Sequence, residues 1–424
     1  MFIGRGLNAP SRDNLDYIGH AAPGAGLFVQ TSALRVNSSN CRVWHLPSWV
    51  GDLPSAGGPD EFKADQRDAL QSSSDGIEVG RVAFINCEAR FTMDESVQVW
   101  YDAFGTSWIR GAIYDPLHIP PDFAMPDDPN HEAGQDHGYG HLIGGKADYG
   151  LTQQSLYAHT TDRNPLVSSP LYAHINNLHY NHGRPTVGNG SGVKIDDNGE
   201  HNLDAGRSMR ANIVGCISVR GPEQGDTVML VEVQDVTEGS SAHGALNSQF
   251  GWPAITSQDE LFWLRKNPPN YLRPTIRTGA WPLGLGFNYD GVLKPCADPL
   301  KPRVQEGLAF SQLMRETVGC MPARRYLYNG GVNKVLDQID AAIRGIHAGP
   351  QYVNTVDEAG GWPNMPTLSI DPENPTDDYH APLPIGDDRD DTLLEGVFSD
   401  GSSKVGYSKL RAWVIEQYFY VIGR

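Results

Sequence analysis

Apolar residues in this chain occur mainly in short runs separated by turn-forming residues. The runs 81–88, 97–104 and 108–114 carry apolar side chains on alternating or on both faces. This period of two is typical of β-strands, because the apolar positions of helices recur every three or four residues. Short segments join the three runs, which favours antiparallel neighbours. The pattern therefore predicts an antiparallel meander or the start of a sandwich.

Two further patterns complete the predicted fold. The runs 211–220 and 227–236 flank a Gly/Pro-containing turn and predict a central β-hairpin. Apolar residues at helical spacing in 304–318 and 332–346 predict two helices that end near glycines. We expect a mainly β fold, an antiparallel sandwich or jelly-roll-like domain with long loop insertions and a small helical subdomain.

The same patterns divide the chain into six segments. They are an extended N-terminal arm and loops (1–60), the first β-rich segment of the core (61–114), a long His/Gly-rich insertion (115–206), a β-hairpin core with Pro/Gly-rich loops (207–302), a helical pair (303–350), and an acidic loop with C-terminal strands (351–424).

Composition excludes several classes of partner. With 33 Lys and Arg against 51 Asp and Glu, the formal net charge is −18 and no basic cluster stands out. Such a surface repels a phosphate backbone, so we expect no direct nucleic-acid binding. No apolar run approaches the roughly 20 residues that cross a bilayer, and the N-terminus does not resemble a secretory signal. The widely spaced cysteines favour reduced core residues over disulfides.

The insertion 115–206 holds nine of the fourteen histidines and carries the sharpest candidate site. His131, His137 and His141 could supply three metal ligands, with Asp136 or Glu132 as a general base. Their spacing departs from a helical His-Glu-x-x-His motif, and glycines 138 and 140 disfavour a helix. The alternative is a set of loop histidines that hydrogen-bond to backbone or pack at a subunit contact.

Other polar clusters have equally plain structural interpretations. The segment 172–182 mixes aromatic, amide and imidazole groups, as in a sugar-binding or interface surface, but also as in a well hydrogen-bonded loop. Residues 196–204 present oxygen ligands at every second position, yet they lack the pattern of a calcium loop and fit a hairpin turn. The acidic segment 371–391 is typical of a solvated face.

Three functional hypotheses remain. The first is a structural subunit of a large assembly, namely a coat or tail protein of a virus or bacteriophage, located in the virion and contacting further copies and other subunits. It requires no cofactor. The second is a metal-dependent hydrolase or carbohydrate-active enzyme that uses His131, His137 and His141 with a divalent metal. The third is a carbohydrate-binding module that holds a glycan through Trp252 or Trp362.

Overall fold

The computed structural model describes residues 12–52, 67–119 and 137–189 with short internal gaps. It also describes two short strands before residue 12, short strands between 210 and 264, residue 223, and the segments 317–320, 352–362, 395–407, 412–413 and 415–416. The predicted helical pair at 303–350 lies outside the described residues except for 317–320. Among the described residues, no helix is long and apolar enough to cross a membrane.

Short strands follow one another along the whole described chain. In chain order they are β1 (Phe2–Ile3), β2 (Leu7–Asn8), β3 (Asp16–Ile18), β4 (Val29–Gln30), β5 (Leu34–Arg35), β6 (Arg42–Trp44), β7 (Pro47–Trp49), β8 (Leu70–Gly80), β9 (Ala83–Ile85), β10 (Glu88–Arg90), β11 (Glu95–Ile109), β12 (Ala112–Tyr114) and β13 (Tyr139–Ile143). They continue as β14 (Asp148–Gln153), β15 (Leu156–Ala158), β16 (Leu166–Val167), β17 (Leu171–Ile175), β18 (Leu178–Tyr180), β19 (Val187–Asn189), β20 (Arg210–Val214), β21 (Ile217–Val219), β22 (Val231–Val233), β23 (Ser241–Gly244), β24 (Gln249–Phe250) and β25 (Phe262–Leu264). A 3₁₀ turn spans Gly19–Ala21.

Every pairing between these strands is parallel, and each strand pairs with the strand three places away, or two places away around β11, which contributes to two faces. The first face contains β2, β5, β8, the start of β11, β13, β16, β19, β22 and β25. The second contains β3, β6, β9, the end of β11, β14, β17, β20 and β23, and the third contains β1, β4, β7, β10, β12, β15, β18, β21 and β24. The chain thus winds around three faces in successive coils, which is a parallel β-helix.

This architecture corrects the predicted fold. The antiparallel sandwich or jelly roll is wrong, because each strand pairs with a strand one coil away instead of with its neighbour in sequence. The predicted meander forms β9 to β12, but β10 pairs in parallel with β7 and β12. The predicted hairpin fails for the same reason, since β20 pairs with β17 and β23. Strands β13 to β19 also occupy most of the described part of 115–206, which the sequence pattern had left without regular structure.

Residues in the left-handed conformation turn the chain at the corners. Between the second and third faces, His45, Asn86, Arg110 and Gln154 have φ angles from 48° to 53°. Each donates its backbone N–H to a carbonyl one coil away, for example Asn86 to Ile109 at 2.9 Å. Non-glycine residues rarely adopt this conformation, so its repetition reflects the same tight corner in each coil.

The interior of the coil changes from apolar to polar along its axis. One column of paired residues on the second face runs through Val43, Phe84, Trp108, Thr152 and His174. All five are fully buried. The early coils therefore have an ordinary hydrophobic core, whereas the later coils must satisfy buried polar groups internally.

Buried imidazole and phenol groups lie within hydrogen-bond distance of one another in those later coils. The Nδ1 of His141 lies 3.1 Å from the hydroxyl of Tyr157, whose ring stacks on His179 at 4.7 Å. The Nε2 atoms of His174 and His179 are 2.9 Å apart, and the hydroxyl of Tyr172 lies 2.8 Å from Nδ1 of His174. Burial lowers the pKa of each of these histidines, that of His141 to about 3. The imidazoles are therefore neutral at pH 7 and can both donate and accept.

Later segments of the chain cover the outer side of the third face. Val318, Val353 and Val356 join the buried cluster that contains Trp49 and Tyr114. Polar contacts attach the same segments, because Glu88 accepts the backbone N–H of Cys320 at 2.9 Å and Leu117 forms a parallel bridge with Val353. The first face receives no comparable cover from the described residues of these segments.

Candidate functional site

A cluster of charged side chains lies where strands of the first face begin. Asp68 precedes β8 by two residues, and Asp94 and Glu95 stand at the start of β11. Arg163 lies two coils further on, just before β16, beside Asp162, which bridges to the first residue of β13. The parallel register places these starts side by side, because equivalent positions of successive coils stack on one another.

The three carboxylates converge on one point. Asp68, Asp94 and Glu95 can each offer an oxygen such that all three atoms lie within 4.8 Å of one another. Among the residues that the structure describes, this is the one group of three or more potential ligand side chains. All three residues are buried, with exposed fractions of 0%, 7% and 2%. Three carboxylates in so small a buried volume repel one another unless protons or cations compensate them.

Hydrogen bonds hold Asp68 in place but leave one oxygen of the cluster unused. Its Oδ1 accepts the backbone N–H of Glu95 at 3.0 Å, and its Oδ2 accepts from the amide of Gln71. Burial raises the pKa of Asp68 well above its usual range, and the neighbouring Asp94 raises it further. Within the described part of the chain, the buried Oε2 of Glu95 has no hydrogen-bond partner. The cluster therefore has acceptor capacity to spare.

Arg163 supplies the positive charge of the site. Its guanidinium forms an ion pair with Glu95 and approaches Asp94 at 3.8 Å. The same group lies over the ring of Tyr139, 4.1 Å from its centroid. About a quarter of its side chain is exposed, unlike the carboxylates beneath it. Arg163 is therefore the member of the cluster that meets solvent.

The backbone beneath Arg163 is anchored by close packing. Its carbonyl oxygen accepts the N–H of His141 at 2.6 Å. The same oxygen would lie only 2.5 Å from a Cβ built on Gly140, so a glycine is required at that position. Arg163 itself has φ 57°, and its N–H donates to the side chain of Asp162. The main chain at Arg163 is thus fixed.

The predicted histidine site is only partly described. His131, Asp136 and Glu132 lie outside the described residues. His137 stacks on Tyr139 at 5.1 Å, whereas His141 points into the coil interior toward Tyr157. No group of three potential ligands that includes either histidine occurs in the described segments. Metal binding by His131, His137 and His141 remains a prediction.

The other sequence candidates differ in their outcome. The segment 172–182 contributes Tyr172, His174 and His179 to the coil interior, where they are buried instead of forming a surface. Trp362 packs edge-to-face on Phe91 at 5.5 Å and is partly exposed. Trp252 and the acidic segments 196–204 and 371–391 lie outside the described residues.

The carboxylate cluster itself was missed from sequence. Its members are spread over positions 68–95, and only Asp94 and Glu95 are neighbours in the chain. Catalytic carboxylates cannot be chosen among 51 acidic residues without geometry. One usable signal was present, namely an acidic pair directly before the long apolar run of β11.

The chain matches no protein-family model and no curated protein. Two solved structures show a partial likeness to it. Pectate lyase II from Xanthomonas campestris pv. campestris is 12% identical, with a TM-score of 0.38, over 70% of this chain and 77% of its own. A pectate lyase from Paenibacillus sp. 0602, studied for its specific activity and thermostability, is 13% identical, with a TM-score of 0.37, over 74% of this chain and 76% of its own. The fold assignment rests on the strand pairing above.

The interpretation as a virion coat or tail protein is wrong. It depended partly on long irregular excursions, and β13 to β19 instead form coils of a parallel β-helix in the described part of the longest one, 115–206. The expected homo-oligomer and glycan partners remain predictions.

Proposed function

We propose that this protein is a carbohydrate-active enzyme that depends on a divalent cation held by Asp68, Asp94 and Glu95. The observation that carries the proposal is the convergence of three buried carboxylates, one of which has an oxygen without a partner in the described part of the chain. An all-oxygen set is what Ca²⁺ prefers, since it takes carboxylate, carbonyl and water ligands in flexible geometry. Backbone carbonyls and waters would complete the coordination.

An acidic polysaccharide is the substrate class that best fits these groups. A bound cation neutralises a substrate carboxylate and polarises it. The exposed guanidinium of Arg163 can pair with the same carboxylate in a bidentate way. Together they would also favour an anionic substrate on a protein whose net charge is −18. Pectate, after which the two lyases above are named, is the first substrate to test.

Two reactions are open to such a site, and their products differ. In elimination, a base removes the proton next to the neutralised carboxylate, the bond to the leaving sugar oxygen breaks, and a double bond forms. In hydrolysis, water adds across the glycosidic bond and no double bond appears. Ultraviolet absorbance detects only the first product, whereas a reducing-end assay detects both.

The test is degradation of acidic and neutral polysaccharides by the full chain, with calcium or with a chelator. We expect calcium-dependent cleavage of an acidic polymer and little cleavage of a neutral one. Glu95→Gln and Asp94→Asn should each lower kcat/KM by about 100-fold or more, the usual scale for a lost electrostatic group. Glu395→Gln, a change at an exposed carboxylate, is the matched control and should have no effect.

The proposal fails if no polysaccharide is cleaved, or if neither chelation nor the two site variants alter the rate. A calcium-dependent rise in the melting temperature without any activity would reduce the cluster to a structural cation site.

A further inference from the structure

Arg163 and a cation compete for the negative charge of the same carboxylates. The guanidinium pairs with Oε1 of Glu95 and approaches Oδ1 of Asp94, and these are two of the three groups that would ligate the cation. Two positive groups held within a few ångströms of each other repel strongly where solvent is largely excluded. Arg163 therefore occupies the cluster in the way that a cation would.

We infer that Arg163 is an internal counter-ion that a cation displaces, and that its displaced guanidinium then binds the anionic group of the substrate. The inference rests on the proposed function and adds an order of events to it. Cation binding comes first, and it creates the second half of the substrate-binding site.

The surroundings of Arg163 allow such a change without unfolding. Its backbone is fixed by the close approach to Gly140 and by the N–H of His141. Only the side chain has to move, and a quarter of it is already exposed. The ring of Tyr139 lies beneath the guanidinium and provides a surface on which it can remain after it leaves the carboxylates.

The charges of the cluster support the same order. Without a cation, the guanidinium compensates Glu95 and Asp94. A divalent cation would replace that compensation. The released guanidinium would lie beside the bound cation, and this arrangement suits a carboxylate that bridges the two.

Calcium titration of the full chain by calorimetry tests the inference. Arg163→Gln removes the competitor, so we expect calcium to bind about tenfold more tightly than in the unmodified protein. Arg163→Lys keeps a charge but loses the forked geometry and should give an intermediate affinity. The control is Arg42→Gln, which removes a surface ion pair with Asp16 and should leave calcium affinity unchanged.

A second measurement separates displacement from a purely structural role. At saturating calcium, Arg163→Gln should raise KM for the acidic polysaccharide more than tenfold, although calcium itself binds more tightly. If Arg163 only holds the fold, Arg163→Gln should weaken both calcium binding and polysaccharide binding. That outcome would overturn the inference while leaving the cation site intact. Equal calcium affinity in Arg163→Gln and the unmodified protein would also overturn it. No calcium binding by either protein contradicts the inference and the proposed function together.

Discussion

At the scale of single residues, burial decides what each polar side chain does. Asn177 is fully buried at a corner, where its side-chain oxygen accepts the N–H of Ser155 at 2.9 Å and its amide donates to the carbonyl of Thr152 at 3.1 Å. The side chain thus satisfies a donor and an acceptor of the neighbouring coil. An asparagine suits this position because it carries both functions in one flat group.

Replacement of that amide tests the role directly. Asn177→Asp keeps an acceptor for Ser155 but turns an oxygen toward the Thr152 carbonyl in a buried site. We expect a loss of about 2 to 4 kcal/mol in the free energy of unfolding, measured by denaturant titration. The same change at Asn354 is the control, because its acceptor contact to the N–H of Ile119 is near solvent. Similar losses in the free energy of unfolding at both positions would contradict the role of the Asn177 amide as a buried hydrogen-bond donor.

At the scale of elements, short strands stack because glycines and left-handed corners let coils approach closely. Gly140 lets the chain at Arg163 lie against β13, and Gly183 similarly lies against the carbonyl of Thr161, where a Cβ would be only 2.3 Å away. Backbone in contact with backbone cannot yield as a flexible side chain can. These glycines therefore set the spacing of coils around the candidate site.

A methyl group at Gly140 should disturb both the coil and the site. We expect Gly140→Ala to lower the free energy of unfolding by about 3 kcal/mol, because the added methyl group overpacks against backbone and forces the coils apart. Gly360→Ala is the control, because a Cβ at Gly360 would have no atom within 4 Å. Since φ is +98° at Gly360, the change should still lower the free energy of unfolding by about 1 kcal/mol. Thermal and denaturant unfolding measure both. Equal costs would show that the close approach at Gly140 is not required.

At the scale of the whole molecule, the polar interior makes stability depend on pH. Burial lowers the pKa of His45, His141, His159, His174 and His179 in the folded chain. The unfolded chain binds protons at these residues near pH 6.5, whereas the folded chain binds them only at lower pH, about 3 for His141. Stability is therefore full above about pH 6.5 and falls as the pH drops below it.

The slope of that fall is a measurable prediction. Each such histidine should remove up to about 1.4 kcal/mol per pH unit between about pH 6.5 and its folded pKa. Asp68 has a raised pKa in the folded chain, so its protonation stabilises the fold as the pH falls. This single group opposes the five histidines. Unfolding free energies measured at about pH 7.5 and about pH 5 should differ by several kcal/mol. His141→Gln should flatten the slope, and an unchanged stability at the lower pH would contradict neutral histidines in the core.

Much of the local structure could be predicted from sequence. The period-two apolar runs located strand-forming regions that became β9, β11 and β12. Net charge and apolar run length argued against nucleic-acid and membrane partners. These features depend on neighbouring residues and on composition, which the chain carries without its fold.

Strand direction and the candidate site were decided only by tertiary structure. A period of two is the same in parallel and antiparallel sheets, so Val97 could not reveal that it pairs with Leu70 and His141. The sequence does not show the repeat, because the number of residues per coil varies. Ser155 and Asn177, which are equivalent in adjacent coils, are 22 residues apart, whereas Gly111 and Ser155 are 44 residues apart. Coiling alone brought Asp68, Asp94, Glu95 and Arg163 together, since contacts between coils depend on stacking and not on distance along the chain.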